Sequence, residues 1–167
     1  MRRYKNKLVV LRGNSGSGKS TVAKALRDEC NSKIALVEQD YLRRFVLKEK
    51  ETEGTNNIDL MQQTVEFCLE RGYDVILEGI LYFPRYGTML KQLVEKCPNN
   101  YFYYFDISFE ETLRRHITKP NSHEFGENEM TKWYKPNQLT RFESEKIIPE
   151  SLSKEEVVKK IFTETEL

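Results

Sequence analysis

Gly13-Asn14-Ser15-Gly16-Ser17-Gly18-Lys19-Ser20, with Thr21 behind it, decides the fold of this chain, because it matches G-x-x-x-x-G-K-[ST] without a mismatch. Glycines in such a P-loop let the backbone turn its N–H groups inward around a phosphate, and the helix that starts there directs its positive dipole at the same point. We therefore expect residues 13–21 to bind a nucleotide, with the Lys19 amine at the β- and γ-phosphates and the Ser20 hydroxyl on Mg²⁺.

Both flanks of the loop fit this interpretation. Residues 7–12, Lys-Leu-Val-Val-Leu-Arg, form a short apolar run that predicts a buried strand. Residues 21–27 place three apolar side chains on one face of a predicted helix. An ordinary glycine-rich turn would explain neither the Lys19-Ser20 pair nor these flanks, so a phosphate-binding loop is favoured.

The composition predicts one compact domain over residues 1–167. With 167 residues and 38% hydrophobic content, the chain can bury most of its apolar surface and has little room for a second domain. Its 27 Lys and Arg balance 26 Asp and Glu, and the net charge of +1 offers no bulk attraction to nucleic acid or membranes. Three cysteines without a C-x-x-C pair, and no apolar stretch near the roughly 18 residues of a membrane span, predict a reduced, cytoplasmic protein, monomeric or homodimeric.

Short apolar runs alternate with helical periodicity along the rest of the chain. This order predicts a mostly parallel sheet wound with right-handed crossovers, and hence a three-layer α/β/α sandwich. The aromatic run 101–105 is expected to be core, and a platform on which bases stack is the alternative. The strands predicted after the first are 33–38, 73–78, 101–107 and 146–149, and the helices predicted after the first lie near 57–71, 84–97, 109–116 and 154–162.

Three helix starts carry capping residues. Asn57 is predicted to cap the helix that follows the second strand. Ser108 with Glu111, like Ser153 with Glu156, matches the S-x-x-E capping box. In that arrangement the serine side chain accepts from the third helical amide while the glutamate accepts from the serine N–H.

A break in periodicity after the fourth helix of this pattern predicts a lid at about 117–136. Residues 119–128 contain proline, asparagine, serine and glycine without periodic apolar positions, and a short helix follows that is interrupted at Pro136. His116 and His123 have no partners at metal-ligand spacing, so structural or surface roles are favoured for both.

Phosphoryl transfer needs a group that accepts the proton of the acceptor and a carboxylate that orders the metal. Asp40 follows the second predicted strand, and we choose it as the base because ligands sit outside the carboxyl ends of strands in open α/β sheets. A helix N-cap is the alternative for Asp40. Glu78 ends the third strand as a Walker-B-type carboxylate would, ordering Mg²⁺ directly or through water, and a plain strand-end glutamate is the alternative. Gly79 beside it is expected to let substrate approach the backbone closely.

Five arginines are candidates for contacts with phosphate or substrate. Arg114 and Arg115 lie just before the predicted lid, and because consecutive helical residues point about 100° apart, at most one of them is expected to reach the phosphates. Arg43 and Arg44 follow the proposed base and are predicted to hold an acidic substrate group, with a solvated helix face as the alternative. Arg141 is a weaker candidate for a phosphate contact after lid closure.

The chain resembles the small P-loop kinases, a group that includes polynucleotide 5′-kinases, zeta-type toxins, chloramphenicol phosphotransferases and gluconate or shikimate kinases. The resemblance covers nearly the whole chain and implies a five-stranded sheet in the order 2-3-1-4-5, ATP with Mg²⁺ as donor, and a lid arginine. An Asp is more usual than Glu78 in many relatives, and no substrate-defining motif is evident, so the acceptor is not named. The segments that carry the resemblance are 13–21, Gln39-Asp40-Tyr41-Leu42-Arg43, Leu77-Glu78-Gly79, Asp106-Ile107-Ser108 and Arg114-Arg115-His116.

The leading hypothesis is therefore an ATP-dependent kinase that phosphorylates a hydroxyl of a small-molecule or nucleotide-like acceptor. A nucleotide-dependent switch is a second hypothesis, although no N-K-x-D-type guanine-reading segment is found and the length leaves little room for the second lobe of an AAA+ motor. A third is 5′-phosphorylation of nucleic acid by the same residues, which the balanced charge does not favour.

Overall fold

A five-stranded parallel sheet in the order β2-β3-β1-β4-β5 forms the centre of the computed structural model, which describes residues 3–50, 52, 54–118 and 125–167. The predicted strand order is thereby confirmed. The strands are β1 (Leu8–Gly13), β2 (Ile34–Glu38), β3 (Asp74–Gly79), β4 (Asn100–Asp106) and β5 (Glu145–Pro149). The helices are α1 (Lys19–Glu29), α2 (Asn57–Glu70), α3 (Phe83–Lys96), α4 (Phe109–Ile117), α5 (Glu127–Trp133) and α6 (Lys154–Thr165).

Helices cover both faces of the sheet, which confirms the three-layer sandwich. Apolar side chains of α2 and α3 pack with one set of strand residues, and those of α1 and α6 pack with the alternate set. The middle strand β1 is buried at every position, as expected for a parallel strand between two helical layers. None of the helices in the described ranges is long and apolar enough to cross a membrane.

The predicted cap of α2 is wrong by one residue. Asn57 is the first helical residue, and the N-cap position belongs to Asn56, whose side chain makes no capping bond. The Glu49 carboxylate takes the part of the cap, accepting from the backbone N–H of Asn56 at 3.1 Å and of Asn57 at 3.2 Å. Desolvation opposes ionisation of Glu49, but these hydrogen bonds prevail and lower its pKa.

The capping box is present at α6 but only half formed at α4. At α6, Ser153 and Glu156 exchange both bonds. At α4, Ser108 Oγ accepts from Glu111 N at 3.3 Å, but the Ser108 N–H donates to Glu150 Oε2 at 2.9 Å. The Glu111 carboxylate is therefore available for other partners, one of which, Arg115, lies beside the P-loop.

The segment after β2 is a short π-helix, Tyr41–Val46. It contains no buried residue. Wider π-helical turns are often found at functional sites. This π-helix carries Arg43 and Arg44 and begins directly behind Asp40.

The predicted lid lies partly within the described residues. Helix α4 ends at Ile117, and α5 occupies 127–133 and stops before Pro136, as the sequence suggests. Residues 119–124, which include His123, lie outside the described residues. The lid over 117–136 and the single domain over 1–167 therefore stay predictions.

Candidate active site

The P-loop joins β1 to α1 through three glycines whose positive φ angles other residues rarely adopt, 146° at Gly13, 81° at Gly16 and 97° at Gly18. Space is a second constraint at two of them. A Cβ on Gly13 would lie 2.8 Å from the Phe105 carbonyl oxygen, and one on Gly16 would lie 2.6 Å from the Thr112 carbonyl oxygen. The loop is therefore pressed against β4 and α4, and its shape depends on glycine at these positions.

The Lys19 amine folds back over the loop that carries it. Its Nζ donates to the Asn14 carbonyl at 2.8 Å and to Ser17 Oγ at 3.2 Å. Both acceptors are uncharged oxygens, and the anionic oxygens of a phosphate would be stronger acceptors for the same amine. A cradle of turned backbone with a buried amine at its mouth fits a polyphosphate, because the amine could exchange these oxygens for phosphate oxygens.

Ser20 and Glu78 meet at the first turn of α1. The Ser20 hydroxyl donates to Glu78 Oε1 at 3.0 Å, and Glu78 is only 4% exposed. Burial raises the pKa of Glu78, and Lys19 and the bond from Ser20 oppose the rise. Two hard oxygen ligands beside a phosphate cradle fit Mg²⁺, which typically takes one or two protein ligands and completes its shell with phosphates and water. Among the described residues no group of three or more His, Cys, Asp or Glu could hold a metal alone.

Asp40 stands at the edge of the sheet where the carboxyl ends of β2 and β3 lie. Two residues before it, Glu38 is in register with Glu78, so the chain brings Asp40 to the side of Ser20 and Glu78. Its side chain is 61% exposed and accepts from Arg43 Nη2 at 2.7 Å. It makes no capping bond to the π-helix, so helix capping does not explain Asp40.

Arg43 and Arg44 differ in their surroundings. Arg43 is turned back along its own segment, donating to Asp40 and, at 3.1 Å, to the carbonyl of Glu49. The Arg44 guanidinium lies 5.9 Å from the ring centroid of Phe45. Arg43 thus orients the carboxylate of Asp40, while contact of either arginine with substrate stays a prediction.

Gly79 has a different reason to be glycine from the one that the sequence suggests. A Cβ at this position would lie 2.6 Å from Gln39 Cβ. The buried Gln39 amide donates to Tyr86 Oη at 2.7 Å and accepts from Leu81 N at 3.1 Å. The space above Gly79 is therefore filled by Gln39, and the approach of substrate to the Gly79 backbone stays a prediction.

Arg114 and Arg115 differ in whether they contact the P-loop. Arg115 Nη1 donates to the Ser17 carbonyl in the P-loop at 2.9 Å, whereas the Arg114 side chain is 73% exposed. Both guanidinium groups bind Glu111, and hydrogen bonds from Arg114 and then Arg115 lower the pKa of Glu111 to about 2. The geometry places Arg115, and not Arg114, at the nucleotide loop.

A cavity of about 530 Å³ opens beside the P-loop, between α4 and the start of α6. Its lining includes the P-loop residues 16–18 and the apolar side chains of Ile148, Leu152 and Val157. Arg115 lies in its wall and also donates to the Glu150 carbonyl at 3.4 Å. A planar, largely apolar group attached to a phosphate chain would fit this space.

Arg12, the last residue before the P-loop glycine, is a buried residue whose role the sequence pattern does not reveal. Its side chain is 0% exposed and its Nη1 lies 2.6 Å from Glu145 Oε1, itself 3% exposed. Nη2 donates to the carbonyls of Leu81 at 3.1 Å and Gln138 at 3.0 Å. Burial lowers the pKa of Arg12, and Glu145 opposes this. A charged residue ending an apolar strand was the available signal.

Asn14 has a second function that the motif does not reveal. Its side-chain Nδ2 donates to the Lys135 carbonyl at 2.8 Å, and its Oδ1 accepts from Lys135 N at 2.9 Å. This pair fastens the segment after α5 to the P-loop. Arg141 adopts a positive φ of 64°, and its phosphate contact stays a prediction. His116 is buried and stacks on Phe125 at 4.4 Å, which agrees with a structural role.

Solved structures similar to this chain include kinases and a chain of an RNA repair complex. The Mycobacterium tuberculosis APS kinase CysC in complex with AMPPNP and APS has 17% identity over 100% of both chains and a TM-score of 0.74. A gluconokinase from Sinorhizobium meliloti has 18% identity, covers 99% of this chain and 94% of its own, and has a TM-score of 0.63. A chain of the Pnkp1/Rnl/Hen1 RNA repair complex has 20% identity over 79% of this chain and 43% of its own, at a TM-score of 0.59.

The fold of small P-loop kinases, which the sequence resembles, is thus confirmed by similarity along nearly the whole chain. No curated protein sequence matches. One family model, described as an AAA domain, matches residues 8–132, which include the P-loop, Asp40, Glu78 and both arginines of α4. Because this match spans most of the sequence, the chain belongs to the AAA_33 family.

Proposed function

We propose that this protein is an ATP-dependent kinase that transfers the γ-phosphoryl group to a hydroxyl of a small-molecule or nucleotide-like acceptor. The single observation that carries the proposal is the exposed carboxylate of Asp40 near the buried Glu78, which is bonded to Ser20. A protein that only binds nucleotide does not need a solvent-facing base at this point. A kinase needs one, because its acceptor arrives from solvent.

The donor side divides its work among four residues. The P-loop amides and Lys19 would hold the phosphates, and Ser20 with Glu78 would hold Mg²⁺, which supplies charge neutralisation on the phosphate oxygens when bound. Arg115 would add a cation where the loop meets the cavity, and the cavity would receive the base and sugar of the nucleotide. ATP fits such a pocket because it joins a planar apolar ring to a polyphosphate.

The acceptor side rests on Asp40. The bond from Arg43 holds the Asp40 carboxylate in one orientation, and a carboxylate in hydrogen-bond reach of an acceptor hydroxyl can take its proton as the phosphoryl group arrives. Arg43 and Arg44 would supply charge for an acidic group on the acceptor.

The test is a search for phosphorylated products after incubation with Mg-ATP and a cellular metabolite pool, read by mass spectrometry. We expect at least one metabolite to gain a phosphate. K19A removes the amine that contacts the phosphates and should abolish the gain. K24A changes a lysine whose amine lies 3.5 Å from Glu38 on the solvent side of α1, and it should behave as wild type. No product with wild type would overturn the proposal.

Two alternatives are outcomes of the same assay. Addition of a 5′-hydroxyl oligonucleotide tests polynucleotide kinase activity, and binding that weakens steeply with salt would support it. Nucleotide turnover with no phosphorylated acceptor, or turnover that requires a protein partner, would instead support a switch.

A further inference from the structure

Lys135, which lies just after the lid helix α5, is attached to the P-loop through its backbone. Both its N–H and its carbonyl are bonded to the Asn14 side chain, at 2.9 Å and 2.8 Å. An amide side chain that pairs with a backbone N–H and C=O at once determines both the position and the direction of that residue. The attachment thus joins the segment after α5 to a residue of the P-loop.

Asn14 connects Lys135 with the amine already assigned to the phosphates. The Asn14 carbonyl accepts from Lys19 Nζ at 2.8 Å, while its side chain holds Lys135. Asn14 is 6% exposed, so neither set of bonds is exchanged easily with water. The two lysines therefore approach the same loop residue from different elements.

The side chain of Lys135 points toward the acceptor side. Its Nζ lies 5.4 Å from the ring centroid of Tyr82, the residue that precedes α3. An aromatic face attracts an ammonium group without neutralising it. Within the described part of the chain, Lys135 forms no ion pair with a carboxylate, so its charge is available to an anion.

Arg12 keeps these parts together. One guanidinium nitrogen of Arg12 donates both to Leu81, next to Tyr82, and to Gln138, three residues beyond Lys135. Because Arg12 immediately precedes the P-loop, one buried side chain holds the segments around Leu81 and Gln138 to the start of that loop. Lys135 and Tyr82 are thus held near the carboxyl ends of β1 and β3, between the P-loop of the donor side and the strand ends where Asp40 stands.

We infer that Lys135 contacts the phosphoryl group in transit and that Asn14 is its positioning residue, an inference that rests on the proposed function. In the transfer step the bond from the γ-phosphorus to its bridging oxygen breaks, the bond to the acceptor oxygen forms, and the acceptor proton passes to Asp40. Lys135 keeps its own proton and donates a hydrogen bond to a non-bridging oxygen of the transferring group. Such a contact is stronger in the transition state than in bound ATP.

The test compares binding of Mg-ADP with binding of Mg-ADP plus aluminium fluoride, which mimics the planar phosphoryl group. For wild type we expect the fluoride to tighten binding by about 10²-fold or more, as transition-state analogues do. K135M should bind Mg-ADP as wild type does and lose about 10²-fold of that tightening. K135R should restore most of it. K132M, a change of an exposed lysine on α5, is the matched control and should keep it.

A double-mutant cycle tests the positioning role of Asn14. N14A should lower the tightening, and K135M should then cost much less in the N14A background than in wild type, because the two residues act through one contact. Equal costs in both backgrounds would overturn the role of Asn14. Equal tightening in K135M and K132M would overturn the role of Lys135 and leave the kinase proposal standing. If wild type binds Mg-ADP and aluminium fluoride does not tighten that binding, both the role of Lys135 and the kinase proposal would be overturned.

Discussion

The two sides of the proposed active site are built in opposite ways. On the donor side, Asn14, Ser17 and Lys19 are all buried, and the P-loop is pressed on by β4 and α4. On the acceptor side, the π-helix over 41–46 has no buried residue. Tyr41 is 57% exposed there and Phe45 67% exposed.

This contrast in burial corresponds to two tasks, the binding of phosphates and the selection of an acceptor. Phosphates are bound by backbone amides, whose directions depend on loop shape, so the loop must be braced by its neighbours. An acceptor is selected by side chains at a surface, which can differ without disturbing the fold. Changes on the acceptor side should therefore affect catalysis with little loss of stability, and changes in the braces of the donor side should do the reverse.

Asp40→Asn should give the largest effect and should affect catalysis alone. We expect transfer to the acceptor found in the metabolite assay to fall by about 10²- to 10⁴-fold, because the proton acceptor is lost. The exposed pair with Arg43 contributes no more than about 1 kcal/mol, so urea unfolding should change little. Undiminished transfer would exclude Asp40 as the base, and loss of ATP binding would point to a role in folding or metal binding.

Arg12→Met should affect stability most. Removal of one partner from a buried ion pair leaves Glu145 charged and desolvated, at a cost of about 3–5 kcal/mol in the free energy of unfolding. Urea denaturation measures the loss. The double variant R12M/E145L should recover much of it, because no charge is left buried. A loss below about 1 kcal/mol in R12M would show that the pair exchanges with water.

Gly79→Ala tests the boundary between the two sides. The added methyl group would overlap Gln39, so we expect a loss of about 1–3 kcal/mol in urea unfolding. In a Q39A background, where the overlapping atoms beyond Cβ are absent, the same change should cost less. Equal costs in both backgrounds would mean that the Cβ of residue 39 or the backbone at Gly79, and not the Gln39 amide, resists the methyl group.

Glu78→Gln should give the smallest change, visible as a pH dependence without Mg²⁺ or nucleotide. Burial raises the pKa of Glu78 in the folded state above its unfolded value, so the folded protein binds more protons in the interval between the two. Its stability should therefore fall as pH rises through that interval. The glutamine variant cannot ionise there, and thermal unfolding at several pH values should show a flatter profile. Parallel profiles would contradict a raised pKa.

The sheet and the donor side were predictable because each depends on local patterns. Apolar runs predict strands, and the P-loop motif encodes a backbone shape that any neighbour must accept. The choice between Arg114 and Arg115 was not predictable in this way. It depends on where Glu111 points, which depends in turn on the bond from Ser108 N to Glu150, far along the chain.

Arg12, Gln39 and Lys135 were missed for a related reason. The hydrogen-bond partners Glu145, Tyr86 and Asn14 lie between 47 and 133 positions away in sequence, and no periodicity records such contacts. Gly79 was identified as a position that needs glycine, but its reason came from Gln39, which a strand pattern cannot place. Contacts that close long loops are those that single-sequence reasoning does not reach.

The anchoring of residues 134–140 has a consequence for how the protein opens. This stretch has no helix or strand, yet its amides donate to side chains of other elements: Lys135 to Asn14, Gln138 to Tyr104 and Thr140 to Glu145. Amides in an irregular surface segment usually exchange their hydrogens through small local openings. Here the partners belong to the P-loop and to strands of the central sheet, so exchange requires that residues 134–140 separate from the core. These amides should therefore exchange more slowly than those of most irregular surface segments.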